Sequence, residues 1–157
     1  VKLTRNFTLE EFEASETATR RGIANRVPNE LLNYARRTAE MLQRIRDFLT
    51  DLRGIEIPIN LTSGYRSLTV NRAIGSADTS DHVQALAADW RAPAFGTPTE
   101  ICQVLAGRVD ELQIGQLINE YPTGNGWVHT GARTPTKLIN RIITITHDGT
   151  KVGVHAR

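Results

Sequence analysis

The feature that most constrains this chain is a long amphipathic stretch from Pro28 to Leu52. Leu31, Ala35, Leu42, Ile45, Leu49 and Leu52 recur at steps of three and four residues, interrupted at Thr38, and Tyr34, Met41 and Phe48 widen the stripe. That period belongs to a helix with one apolar face. Arg36, Arg37, Glu40, Arg44 and Asp47 occupy much of the remainder, so the helix packs on one side and meets water on the other. Its arginines alternate with acids, and no basic stripe with interleaved aromatics follows, so a nucleic-acid partner is not expected.

The segments around this helix read as short helices and strands. Thr8 and Glu11 form the pattern of a capping box ahead of a short helix carrying Phe12. Residues 20–28 (RRGIANRVP) read as a linker. Residues 55–64 (IEIPINLTSG) read as a strand, with Pro58 marking a sheet edge or a strand start. Ser67 caps a short helix through Val70 and Asn71, and Pro98 opens another over Thr99 to Ala106. Strands are expected in the apolar run around Asp89, from Glu111 to Ile118, and from Trp127 to His129. LINRIITITHDGTKVGVHAR, residues 138–157, is predicted as a hairpin turning at Asp148-Gly149. Pairing His147 with Thr150 puts Ile143, Ile145, Val152 and Val154 on one buried face and leaves His147 and His155 in solvent. The order of elements predicts an α+β fold, a single domain over residues 1–157 with helices packed on a mostly antiparallel sheet.

Bulk properties narrow the function. A chain of 157 residues is long enough for one domain with a sizeable core. The net charge of +2 and a pI near 9.0 favour a polyanionic partner, an anionic cell wall among them. One cysteine, Cys102, excludes an internal disulfide and a Cys-rich zinc site, and its apolar neighbours place it in the core. No run of 18 apolar residues is present, so no membrane-spanning segment is expected. The opening VKLTRNFTLEEF lacks the apolar centre of a signal peptide, so delivery to any target outside the cytoplasm is expected to depend on another factor.

The chemistry is concentrated in TSDHVQALAADW, Thr79 to Trp90. His82 follows a loop of small polar residues, and Asp89 lies seven residues on in an apolar run. A loop leading into a strand can aim an imidazole and a carboxylate at one point, and both are good zinc ligands. His129, in GNGWVHTG, is the remaining histidine with an apolar run before it and small residues around it.

Four pieces in this order, SGYRS (63–67), SDHVQALAAD (80–89), QLINEY (116–121) and GWVHTG (126–131), resemble the zinc D,D-peptidase family. That family contains D-Ala-D-Ala carboxypeptidases, phage endolysins and related peptidoglycan peptidases, and shares its metal-site architecture with the hedgehog signalling domain. The resemblance implies a Zn²⁺ site of His82, Asp89 and His129 with an open fourth position, as catalytic zinc requires. It implies that Arg66 holds a carboxylate or a developing oxyanion, and that Glu120 is the general base. Tyr65 and Ser80 are expected at the substrate. Two positions depart from the family pattern. Gly126 stands where an acid is common, three residues before the last histidine, which leaves Glu120 as the best base and Asp81 as a weaker one. Ala85 stands where a glycine is common.

The reading that results is a zinc-dependent peptidase of peptidoglycan stem peptides or cross-links, expected as a monomer. It is expected to be a phage or prophage lysis enzyme, made in the bacterial cytoplasm and acting on the wall after release, or a virion-associated enzyme. The alternative is a non-catalytic zinc domain used for structure or binding, which Gly126 favours.

Overall fold

The computed structural model describes residues 1–138 and 141–157. Local signals set most helix ends. Thr8 and Glu11 form the reciprocal capping box at the head of α1 (Leu9–Glu13), which buries Phe12. A second helix, α2 (Glu16–Arg21), runs into the stretch predicted as linker. Ser15 caps it by accepting from the Ala18 N–H, and Gly22 closes it in the left-handed conformation, so two end signals enclose six residues. The amphipathic stretch begins with a 3₁₀ turn (Asn29–Leu31) and continues as α3 (Leu32–Arg53), stopped by Gly54 at φ +71°.

Along α3, Ala35, Ala39, Met41, Leu42, Ile45 and Leu49 are fully buried, whereas Leu52 is half exposed. The interruption at Thr38 is part of the packing. Thr38 is fully buried, and its hydroxyl donates to the Ala85 carbonyl at 2.7 Å. A hydroxyl is used there because a buried carbonyl without a donor costs about 1–3 kcal/mol.

The remaining elements are β1 (Asn60–Ser63), α4 (Leu68–Ile74), β2 (Ala87–Arg91), α5 (Pro98–Ala106), β3 (Ile114–Glu120), β4 (Trp127–Ala132), β5 (Arg141–Thr146) and β6 (Gly149–Val152). Ser67 caps α4 and Thr97 caps α5, each through its side-chain oxygen. The strands form one sheet in the order β1-β2-β4-β3-β5-β6, antiparallel except for the parallel pair β3-β5. The fold is therefore α+β, with β1 at the edge just after Pro58.

Strand side chains alternate between faces. One face carries Ala88, Trp90, Val128 and Leu117, which share a core with α3 and with Ile101, Cys102 and Leu105 of α5. The other carries a row in register, Ser63-Asp89-His129-Ile118-Ile143-Val152, from β1 to β6. β2 is buried on both faces from Ala87 to Trp90, apolar toward the helices and carrying Asp89 on the other side.

The terminal hairpin forms, but its register differs from the prediction. Thr146 pairs with Gly149, so the two-residue turn is His147-Asp148 and Ile143 lies opposite Val152. Gly149 takes φ +122°, a conformation that glycine adopts without steric cost, at the first position of β6. The predicted buried face is only partly buried. Ile143 is buried, but Val152 is 86% exposed, because this face belongs to the side of the sheet away from the helices. Ile142 and Val154 pack on the core instead, with Thr144 buried. His147 and His155 are exposed, as expected. Ile139 and Asn140, at the start of the predicted hairpin, lie outside the described residues. Among those described, no helix is long and apolar enough to cross a membrane.

Candidate metal centre

The sheet brings together residues far apart in sequence. Asp89 on β2 and His129 on β4 are directly opposed across one antiparallel pair. His82 arrives from the side, on a 3₁₀ turn (Asp81–Gln84) whose cap, Ser80, accepts from the His82 N–H at 3.3 Å. The turn ends at Ala85 with φ +58°, the left-handed conformation that suits glycine. An L residue there costs about 1–2 kcal/mol. Ala85 is fully buried and its carbonyl is held by Thr38, which offset that cost. The alanine is thus accommodated without displacing His82.

His82, Asp89 and His129 are all buried, and one ligand atom from each lies within 4.8 Å of the others. The His82 Nδ1–H donates to the Gly64 carbonyl at 2.6 Å, which leaves Nε2 facing Asp89 Oδ2 at 3.3 Å. That Nε2 is buried and has no hydrogen-bond partner among the described residues. A buried, unpartnered imidazole nitrogen beside a carboxylate is the arrangement expected for a metal ligand. His129 Nδ1 lies 2.8 Å from Asp89 Oδ1, and its Nε2 lies 3.0 Å from Gln116 Oε1. The donor set therefore fits a zinc ion: two imidazoles and one carboxylate, converging from a turn and two strands.

The charges are strongly coupled. Burial opposes ionisation of Asp89, but His82 and His129 outweigh it and hold its carboxyl far below the ordinary range. Burial lowers the pKa of His82, with Asp89 offsetting it only in part. Burial also works against charge on His129, yet its hydrogen bond to Asp89 and the surrounding carboxylates raise its pKa.

Arg66 is nearly buried and fully engaged. Nε donates to Ser63 Oγ at 3.0 Å, Nη1 to Asn71 Oδ1 at 3.3 Å and Nη2 to Asp89 Oδ2 at 3.2 Å. Its backbone N–H donates to the His82 carbonyl at 3.1 Å. Here, then, it braces the metal-site carboxylate while lining a cleft of about 380 Å³. Glu120 lines the same cleft, with Oε1 3.9 Å from His129 Nδ1. Burial, aided by the charge on Asp89, pushes its carboxyl up to about 7. Asp81, the weaker candidate base, is ion-paired with Lys137 and lines an adjacent cavity of about 370 Å³. Ser80 and His129 border both spaces.

Tyr65, expected at the substrate, is buried with the hydrophobic core and is not among the residues that line the cleft. The Gly64 carbonyl and the Arg66 side chain on either side of it do reach the site. Tyr121 and Trp127, whose rings lie 5.5 Å apart, supply the aromatic wall of the cleft instead.

Gly126 explains the missing acid. A Cβ there would lie 2.5 Å from the carbonyl oxygens of both Glu120 and Tyr121, so no side chain fits this backbone. Glu120 reaches the site from the adjacent strand, where it pairs with Trp127. The roles of Ser63, Asn71 and Gln116 were not read from the sequence. Gln116 had a detectable signal, since it lies at two-residue steps from Ile118 and Glu120 and so shares their face.

Comparison with known families points the same way. The family model described as Peptidase M15 matches residues 5–130. A search among curated proteins finds none that matches. Because the matched span covers most of the chain and takes in all three converging side chains, the chain belongs to the peptidase M15 family of zinc-dependent metallopeptidases.

Proposed function

We propose that this protein hydrolyses peptide bonds in peptidoglycan stem peptides or their cross-links. The observation that carries the reading is the convergence of His82 Nε2, the Asp89 carboxylate and His129 Nδ1 beside Glu120, in a cleft open to substrate. Zn²⁺ bound there supplies a Lewis acid that polarises a carbonyl and lowers the pKa of water toward neutrality. The chain's own residues do the rest. Glu120, with a carboxyl pushed up to about 7, is suited to accept a proton from the attacking water and return it to the leaving amine. Arg66, always charged, balances negative charge developing in the cleft while holding Asp89 in place. Tyr121 and Trp127 confine the substrate and limit water.

A lytic role on the wall, as a monomer released from the cytoplasm or carried on a virion, agrees with the basic charge of the chain. The test is digestion of purified peptidoglycan by zinc-loaded protein, with mass spectrometry of the released peptides. New amino termini that disappear with chelator are expected. Glu120→Ala is expected to retain zinc and lose activity by about 10²–10⁴-fold. An active Glu120→Ala would move the base elsewhere. Bound zinc with no new termini from several wall chemistries would favour a non-catalytic zinc domain.

A further inference from the structure

We propose that Gln116 is a positioning residue that selects which nitrogen His129 presents to the metal, an inference that rests on the zinc reading of the site. The two imidazoles face the centre through different atoms. His82 directs Nε2 inward, because its Nδ1 is held by a backbone carbonyl. His129 directs Nδ1 inward, and the group holding its outer Nε2 is the Gln116 side-chain oxygen. A neutral imidazole carries one ring proton. In the metal-free protein Nδ1–H donates to Asp89, and when a metal takes Nδ1 in place of that proton, the acceptor 3.0 Å from Nε2 holds the remaining ring proton on the outer nitrogen.

The surrounding backbone is shaped for this contact. Between Ile114 and Gln116 the β3-β4 register shifts, with Ile114 opposite Ala132 and Gln116 opposite Gly131. In an unbroken strand these two residues would share a face. Across the bulge, Ile114 stays in the core while Gln116 turns to the site side. Bulges re-aim side chains in this way. Gly131 completes the arrangement. A Cβ at that position would lie 3.2 Å from Gln116 Cβ and 3.5 Å from Oε1, so glycine leaves the space through which Gln116 reaches His129. A bulge, a glycine and an amide thus cooperate on one ring nitrogen.

The inference is tested by zinc affinity, measured by competition with a chromophoric chelator, together with ¹⁵N NMR of the His129 ring. Gln116→Leu is expected to weaken zinc binding by about 10–100-fold and, in the zinc-loaded protein, to expose the His129 Nε2–H to rapid exchange with solvent. Gln116→Glu keeps an acceptor and is expected to bind zinc at least as tightly as the wild type. Gly131→Ala leaves every ligand intact, yet is expected to weaken binding in the same direction by displacing Gln116. Undiminished affinity in Gln116→Leu, or a His129 Nε2–H as protected as in the wild type, would overturn the proposal while leaving the zinc site standing. A wild type that takes up no zinc would overturn both.

Discussion

Asp89 concentrates the electrostatics of the site, since its two oxygens meet His82, His129 and Arg66. This has a pH signature in the metal-free protein. The folded-state pKa of Asp89 lies below its ordinary 3.8, so its contribution to stability is complete above that value and is lost as pH falls toward the folded pKa. His129 is shifted the other way, above 6.5, so its contribution is complete below that value and is lost as pH rises through the folded pKa. Thermal melts of chelated protein between about pH 3 and 9 are expected to show both losses, with Asp89→Asn flattening each limb. Limbs equally steep in the variant would place the coupling elsewhere. At this scale the sequence was informative where side-chain chemistry is distinctive, as for His82, Asp89 and His129. It was less informative at Tyr65, which is buried with the core, because adjacency to Arg66 does not say which way a ring will turn.

Among the elements, helices were the most legible. Thr8, Ser67 and Thr97 act within one turn of themselves, so their effect is written locally. α2 was missed because a six-residue helix has too few apolar positions to show a period, although Ser15 and Gly22 mark its ends. The hairpin was recognised but misplaced at its turn, since Asp148-Gly149 and His147-Asp148 differ by one residue and Gly149 serves either arrangement. One element contact links the fold directly to the site. At Gly64 a Cβ would lie 2.8 Å from the Phe12 Cα and carbonyl oxygen, and the Gly64 carbonyl holds His82. Gly64→Ala is expected to force α1 away from β1, costing about 1–3 kcal/mol, and to loosen the aim of His82. Urea unfolding of the chelated variant and its zinc affinity would both register the change. Wild-type values in each would mean that the contact yields without consequence.

For the whole molecule, zinc is expected to act as a stabilising ligand, because the three side chains converge only in the folded sheet. At free zinc about 100 times Kd the gain is about 2.7 kcal/mol. For a domain of this size that corresponds to an upward shift in Tm of about 5–10 °C, reversed by chelator. A melting curve indifferent to zinc would contradict the centre. The sequence by itself determined the α+β class, the amphipathic α3, most helix ends and the identity of the candidate ligands. These depend on periodicity, capping and side-chain chemistry, all legible within a short window. The tertiary structure alone decided that β2 lies beside β4, that β3 runs parallel to β5, that Gly126 has no room for a side chain, and that Gln116 meets His129. The physical reason is that strand pairing joins residues as far apart as Asp89 and His129 by backbone hydrogen bonds, which any residue except proline can make. Their partners are selected by the packing of the whole sheet.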